Sequence, residues 1–115
     1  MNPARPRPGD VIVQLDALGD AEARAIDFRA GDALFSLIVV RRGDLVRAYE
    51  NVCPHAAQPL DRPDGRVAID AGGFLVCAMH GASFHIASGA CASGPADAPL
   101  TPFAIVVTGG AVVAA

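Results

Sequence analysis

Cys53-Pro54-His55 and Cys77-Ala78-Met79-His80 collect two of the three cysteines and two of the three histidines in the chain. Thiolate and imidazole bind borderline-soft transition metals, so two of each read first as a metal site. The make-up of each pair narrows the metal. A zinc finger keeps like ligands together, two cysteines and then two histidines. Here each pair supplies one sulfur and one nitrogen. That suits a centre with two irons held differently, cysteines on one and histidines on the other. Zinc accepts the same four ligands, so a zinc-stapled module stays open. The bland reading, two buried cysteines and two incidental histidines, needs both pairs to arise by chance.

At these positions the chain resembles the Rieske [2Fe–2S] family: Cys-x-His, then Cys-x2-His with Gly81 after the last histidine. The stretch Gly89-Ala90-Cys91-Ala92-Ser93-Gly94-Pro95-Ala96 is similar to the family's Gly-Pro loop beside the cluster. The resemblance runs from about Val11 to Val113. It implies an all-β, Rieske-type fold, an antiparallel β-sandwich base with a small inserted cluster-binding subdomain. It also implies one [2Fe–2S] cluster held by Cys53, His55, Cys77 and His80, with Gly81, Gly94 and Pro95 around it. The histidine pair would lie at an exposed tip where redox partners dock. The interval between His55 and Cys77 is longer than in oxygenase-type members, and Gly72-Gly73 points to an extended hairpin there.

Charge sets what such a centre does. Two ferric ions, two sulfides and two thiolates sum to zero, whereas an all-cysteine cluster is already doubly negative before reduction. A neutral centre accepts an electron more readily: Rieske potentials run from roughly −150 to +300 mV, against about −400 mV for plant-type ferredoxins. The quinol-oxidising branch of the family adds a disulfide between the ligand loops and two hydroxyl donors near the cluster. This chain has Gln58 and Met79 at the disulfide positions, and Ala82 and Phe84 at the hydroxyl positions. Fewer donors stabilise the reduced state less, so the expected potential is low in that range.

A lone cluster moves one electron and performs no bond chemistry. Only His85 is left to build a mononuclear iron site of two histidines and a carboxylate, and no Gly-x-Gly-x-x-Gly occurs. The expectation is therefore an electron carrier rather than an enzyme. It would be a soluble Rieske ferredoxin passing electrons from a reductase to a terminal oxygenase or related oxidoreductase. A small Rieske subunit of a larger oxidoreductase, such as a nitrite reductase, is the alternative. A metal-stapled or redox-sensing module is the second.

The remaining polar residues read modestly. Cys91 is expected as a small residue in a Gly-rich turn, His85 as a solvated strand residue, and Asn51 as a turn cap. Asp61, Asp64 and Asp70 read as a solvated acidic loop, able with Glu50 to bias docking towards a basic partner.

The elements that must position the ligands follow from length and pattern. A chain of 115 residues is expected to be one domain. Its apolar residues are mostly Ala and Val, with one Tyr and no Trp, which suits thin sheets and tight turns. The nine cations are all Arg and scattered along the chain, against a nucleic-acid surface, and the net charge is −3. No apolar run is long enough to span a bilayer. Residues 1–9 form a Pro- and Arg-rich lead-in without an apolar segment behind it, expected to be poorly ordered. With only three cysteines, the expectation is a cytoplasmic protein. Strands are expected over 11–15, 25–30, 33–40, 45–50, 66–70, 74–78, 83–86, 103–107 and 111–114, with 51–96 as the cluster-binding subdomain.

Overall fold

The computed structural model describes residues 2–54, 58–78, 81–94 and 98–115. Ten strands run in chain order: β1 (Val11–Gln14), β2 (Ala21–Ala30), β3 (Ala33–Arg42), β4 (Leu45–Glu50), β5 (Arg66–Ile69), β6 (Phe74–Val76), β7 (Ser83–His85), β8 (Cys91–Ser93), β9 (Ile105–Thr108) and β10 (Ala111–Ala114). A 3-10 turn, Leu15–Ala17, lies between β1 and β2. Three strands make one sheet in the order β1-β10-β9, and seven make the other, β4-β3-β2-β5-β6-β7-β8. Every strand pair is antiparallel. Among the described residues no helix is long and apolar enough to cross a membrane.

Strand β3 explains why the fold has two cores. Leu37, Ile38, Val39 and Val40 are all fully buried, so both faces of this strand are covered. Successive side chains point to opposite faces. Leu37 and Val39 join Phe35, Phe103, Ile12 and Val112 in the base, between the large sheet and the three-stranded sheet. Ile38 and Val40 join Tyr49, Leu60, Leu75, Phe84, Cys53 and Cys77 in a second core. The strand that centres the base thus also floors the chamber containing both cysteines. Cutting one of these side chains back to Ala would cost about 2–5 kcal/mol.

The segment 51–96 does not form a detached sheet. Strand β5 pairs with β2 through Ala23↔Val67 and Arg24↔Arg66, so β5 to β8 continue the sheet of the base. The β5–β6 hairpin expected at Gly72-Gly73 is present. Asp70 caps it, its carboxylate accepting from the N–H groups of Gly72 and Phe74. Within the second core the Tyr49 hydroxyl donates to the Ile86 carbonyl at 2.6 Å, and burial pushes the Tyr49 phenol above its ordinary value.

Several boundaries differ from the sequence expectation. Residues 2–9 are packed rather than loose. Ala4 is buried, Asn2 Nδ2 donates to the Leu34 carbonyl, and Gly9 N–H donates to the Ala114 carbonyl. The Arg5 guanidinium lies over the rings of Phe35 and Phe103, at 5.1 and 4.8 Å, and faces Glu50 at 3.7 Å. Such cation–ring contacts hold a segment that its composition alone would leave open. Strand β2 begins at Ala21, not Ala25, because Ala21 to Arg24 find full partners in Val39 to Arg42. Pairing there overrides the weak strand preference of Ala, Glu and Arg. Residues 101–103 turn to β4 instead of β10, through Phe103 N–H to the Ala48 carbonyl, so β9 starts at Ile105.

Candidate metal centre

Three loops converge on the second core. The first leaves β4 at Asn51 and returns at Leu60. Cys53 N–H donates to the Gln58 carbonyl at 2.7 Å, drawing the two ends of this loop together. The second runs from Cys77 to Ala82. It is closed by Cys77 N–H to the Ala82 carbonyl at 2.8 Å and Gly81 N–H to the Cys77 carbonyl at 3.0 Å. Ala78 N–H donates to the Leu60 carbonyl at 3.2 Å, which fastens the two loops to each other. Cys53 is 0% exposed and Cys77 2%, both within one core. Two buried sulfurs on loops bonded to each other fit a thiolate-held metal centre of the kind their spacing predicts.

The third loop follows β8. Gly94 has φ +96, and a Cβ there would stand 2.6 Å from the Ala82 Cα. Only glycine lets this loop lie so close to the backbone of the second ligand loop. Gly81 also has positive φ, +73, but among the described residues a Cβ there would meet nothing within 4 Å. Its positive φ serves the turn itself. His55, His80 and Pro95 lie outside the described residues.

Around these loops, Ala82 and Phe84 are fully buried in the core that holds the cysteines. Neither carries a hydroxyl. Ser83 lies between them in sequence, and its hydroxyl is bonded to that of Ser93 at 2.8 Å. Ser83 is itself buried. His85 is exposed on the other side of β7 from Phe84, its ring edge-on to Phe74 at 5.0 Å, in line with the solvated role expected. Cys91 is in β8, opposite Phe84, rather than in a turn. That short strand of Cys, Ala and Ser carries no periodic signal in the sequence.

Asn51 does more than cap a turn. It is 4% exposed; its Oδ1 accepts from Leu60 N–H at 2.8 Å, and its Nδ2 donates to Ser36 Oγ and Asp61 Oδ1 at 3.0 and 2.9 Å. Asp61, expected in a solvated acidic loop, is therefore tied to the root of the first ligand loop. Among the described residues no group of three or more His, Cys, Asp or Glu side chains forms a further metal site.

The Rieske [2Fe-2S] domain model matches residues 11–104. No curated protein sequence matches the chain. Among solved structures, the ferredoxin of carbazole 1,9a-dioxygenase from Nocardioides aromaticivorans IC177 is 27% identical, with a TM-score of 0.77, covering 95% of this chain and 98% of that one. A complex of reduced oxygenase and oxidised ferredoxin in carbazole 1,9a-dioxygenase matches at 27% identity and a TM-score of 0.72, covering 91% of each chain. A putative NADH-dependent nitrite reductase small subunit from Mycobacterium tuberculosis shares the fold, at 23% identity and a TM-score of 0.65, covering 92% and 93%. With its two buried cysteines and their loops in place, the chain belongs to the Rieske [2Fe–2S] domain family, whose members bind one such cluster through two cysteines and two histidines.

Proposed function

We propose that this chain is a Rieske ferredoxin, a one-electron carrier that takes electrons from a reductase and delivers them to a terminal oxygenase or related oxidoreductase. The observation that carries this reading is the pair of buried cysteines on cross-bonded loops. It is supported by likeness, along nearly the whole chain, to a ferredoxin of a dioxygenase. Cys53, His55, Cys77 and His80 are the ligands in this reading, with Gly81 turning the second loop and Gly94 and Pro95 forming the third. When bound, the cluster supplies a single reversible electron step at a potential above that of all-cysteine clusters.

The chain's own residues do the rest. The thiols are withdrawn from solvent in an apolar core of Leu60, Leu75, Phe84 and Leu100, which keeps water from the sulfurs. The close approach of Gly94 to Ala82 seats the third loop over the second. No hydroxyl from Ala82 or Phe84 enters that core, and Ser83 is engaged with Ser93, so the reading gives a low-potential carrier. Partners dock at the tip formed by His55 and His80. Three cysteines in 115 residues support a reducing, cytoplasmic setting.

One further observation favours a subunit of a larger oxidoreductase. The three-stranded sheet, which holds neither cysteine, exposes Val11, Val106 and Val107. Turnover of the purified protein with a Rieske-type reductase and oxygenase, monitored by NADH consumption, tests the carrier. Transfer by the isolated chain supports it. Recovery only as a stable complex with a larger oxidoreductase, and no transfer alone, supports the subunit.

A further inference from the structure

We infer that Asn51 is a positioning residue for the cluster, a side-chain clamp that fixes the two ligand loops relative to each other; this rests on the ligand assignment proposed above. Asn51 Oδ1 accepts from Leu60 N–H, so one side chain joins the two ends of the first ligand loop across nine positions of sequence. The carbonyl of the same Leu60 accepts from Ala78 N–H, in the second ligand loop. One residue, Leu60, therefore transmits the position of Asn51 to the loop carrying Cys77.

Asn51 itself is fixed from the base. Its backbone N–H donates to the Ser36 carbonyl at 2.9 Å, and its Nδ2 donates to Ser36 Oγ. Ser36 belongs to β3, the strand whose neighbouring residues floor the core of the two cysteines. The second Nδ2 partner, Asp61 Oδ1, follows directly on Leu60. An amide is the only uncharged side chain of this size that accepts on one atom and donates twice on the other. Both donors and one acceptor site are used, and the residue is buried. The path from β3 through Ser36, Asn51 and Leu60 to Ala78 is an outer layer to the ligands. Removal of such partners typically costs about 10- to 100-fold in metal affinity.

The test is release of iron from reconstituted, cluster-loaded protein to a strong chelator, followed by loss of visible absorbance, together with the EPR line positions of the reduced protein. The variants are Asn51→Ala, Asp61→Asn and Ser36→Ala. Val112→Ala serves as a control: it cuts the base core, which holds neither cysteine. At matched loss of melting temperature, Asn51→Ala should release iron about 10- to 100-fold faster than wild type and shift its EPR lines. Val112→Ala should keep both near wild type, and so should Asp61→Asn, which retains an oxygen acceptor. Equal release from Asn51→Ala and Val112→Ala, with unshifted lines, would overturn the inference. If Asn51→Ala does not fold, Ser36→Ala decides: faster release than wild type supports the clamp, and wild-type release refutes it. Wild type that takes up no cluster would refute the ligand assignment itself, and the clamp with it.

Discussion

Gly81 and Gly94 allow a controlled experiment on how the cluster-bearing loops are packed. Both have positive φ, +73 and +96, so alanine at either site must adopt a left-handed conformation costing about 1–2 kcal/mol. They differ in surroundings. At Gly81 the new methyl meets nothing within 4 Å among the described residues, so the conformational cost dominates. At Gly94 it arrives 2.6 Å from the Cα of Ala82, a backbone atom that cannot swing aside. Relief requires the third loop to lift from the second, adding an overpacking cost of about 1–3 kcal/mol. Gly81→Ala should therefore lose about 1–2 kcal/mol and Gly94→Ala about 2–5 kcal/mol. For a chain of this size roughly 4 °C of melting temperature accompanies each kcal/mol. The assay is thermal unfolding followed by far-UV circular dichroism, with cluster absorbance recorded in the same scans. Gly94→Ala should melt well below Gly81→Ala and bleach before the sheets unfold, because its lesion lies between the loops. Equal losses in the two variants would refute the close approach of Gly94 to Ala82 as the feature that seats the third loop.

Four other outcomes are expected. Tyr49→Phe removes the donor to the buried Ile86 carbonyl and should cost about 1–3 kcal/mol in chemical denaturation; a loss under ~0.5 kcal/mol would contradict that bond. The Tyr49 pKa is raised by burial, so its neutral form is favoured on folding. That contribution is complete below about pH 10 and lost as pH rises through the folded value, and Tyr49→Phe should weaken this alkaline loss. Glu22 is shifted the other way, lowered first by the Gly19 N–H at 2.7 Å and then by Arg24. Its contribution is present above about pH 4.3 and lost as pH falls through the lower folded value; Glu22→Gln should flatten the acid limb of the stability profile, and an unchanged limb would count against it. A redox titration should place the midpoint below about 0 mV, in the lower part of the Rieske range, and a midpoint well above that would mean a donor near the cluster beyond those described.

The chemistry was far more legible than its supports. Cys53, His55, Cys77 and His80 stand out because few residue types bind soft metals and the chain spends most of its Cys and His on two short pairs. Strand β3 was readable from its β-branched run, and the Gly31-Asp32 turn between paired strands from its dipeptide. What the sequence concealed was long-range. Asn51 looks like any turn residue until Leu60 and Ser36 are brought to it by the fold. Residues 2–9 look unstructured because the rings that receive Arg5 are 30 and 98 positions away. Strand β8 is built of Cys, Ala and Ser, and exists because β7 offers an edge. Local pattern cannot report contacts that only tertiary pairing creates.

We propose that Cys53, His55, Cys77 and His80 hold one [2Fe–2S] cluster. This assignment is tested most directly by absorbance and low-temperature EPR of anaerobically purified protein, before and after dithionite. A visible chromophore is expected and, on reduction, a rhombic signal with an average g below that of all-cysteine ferredoxins. A protein that stays colourless and EPR-silent after reconstitution with iron and sulfide, or that holds zinc in their place, would contradict it.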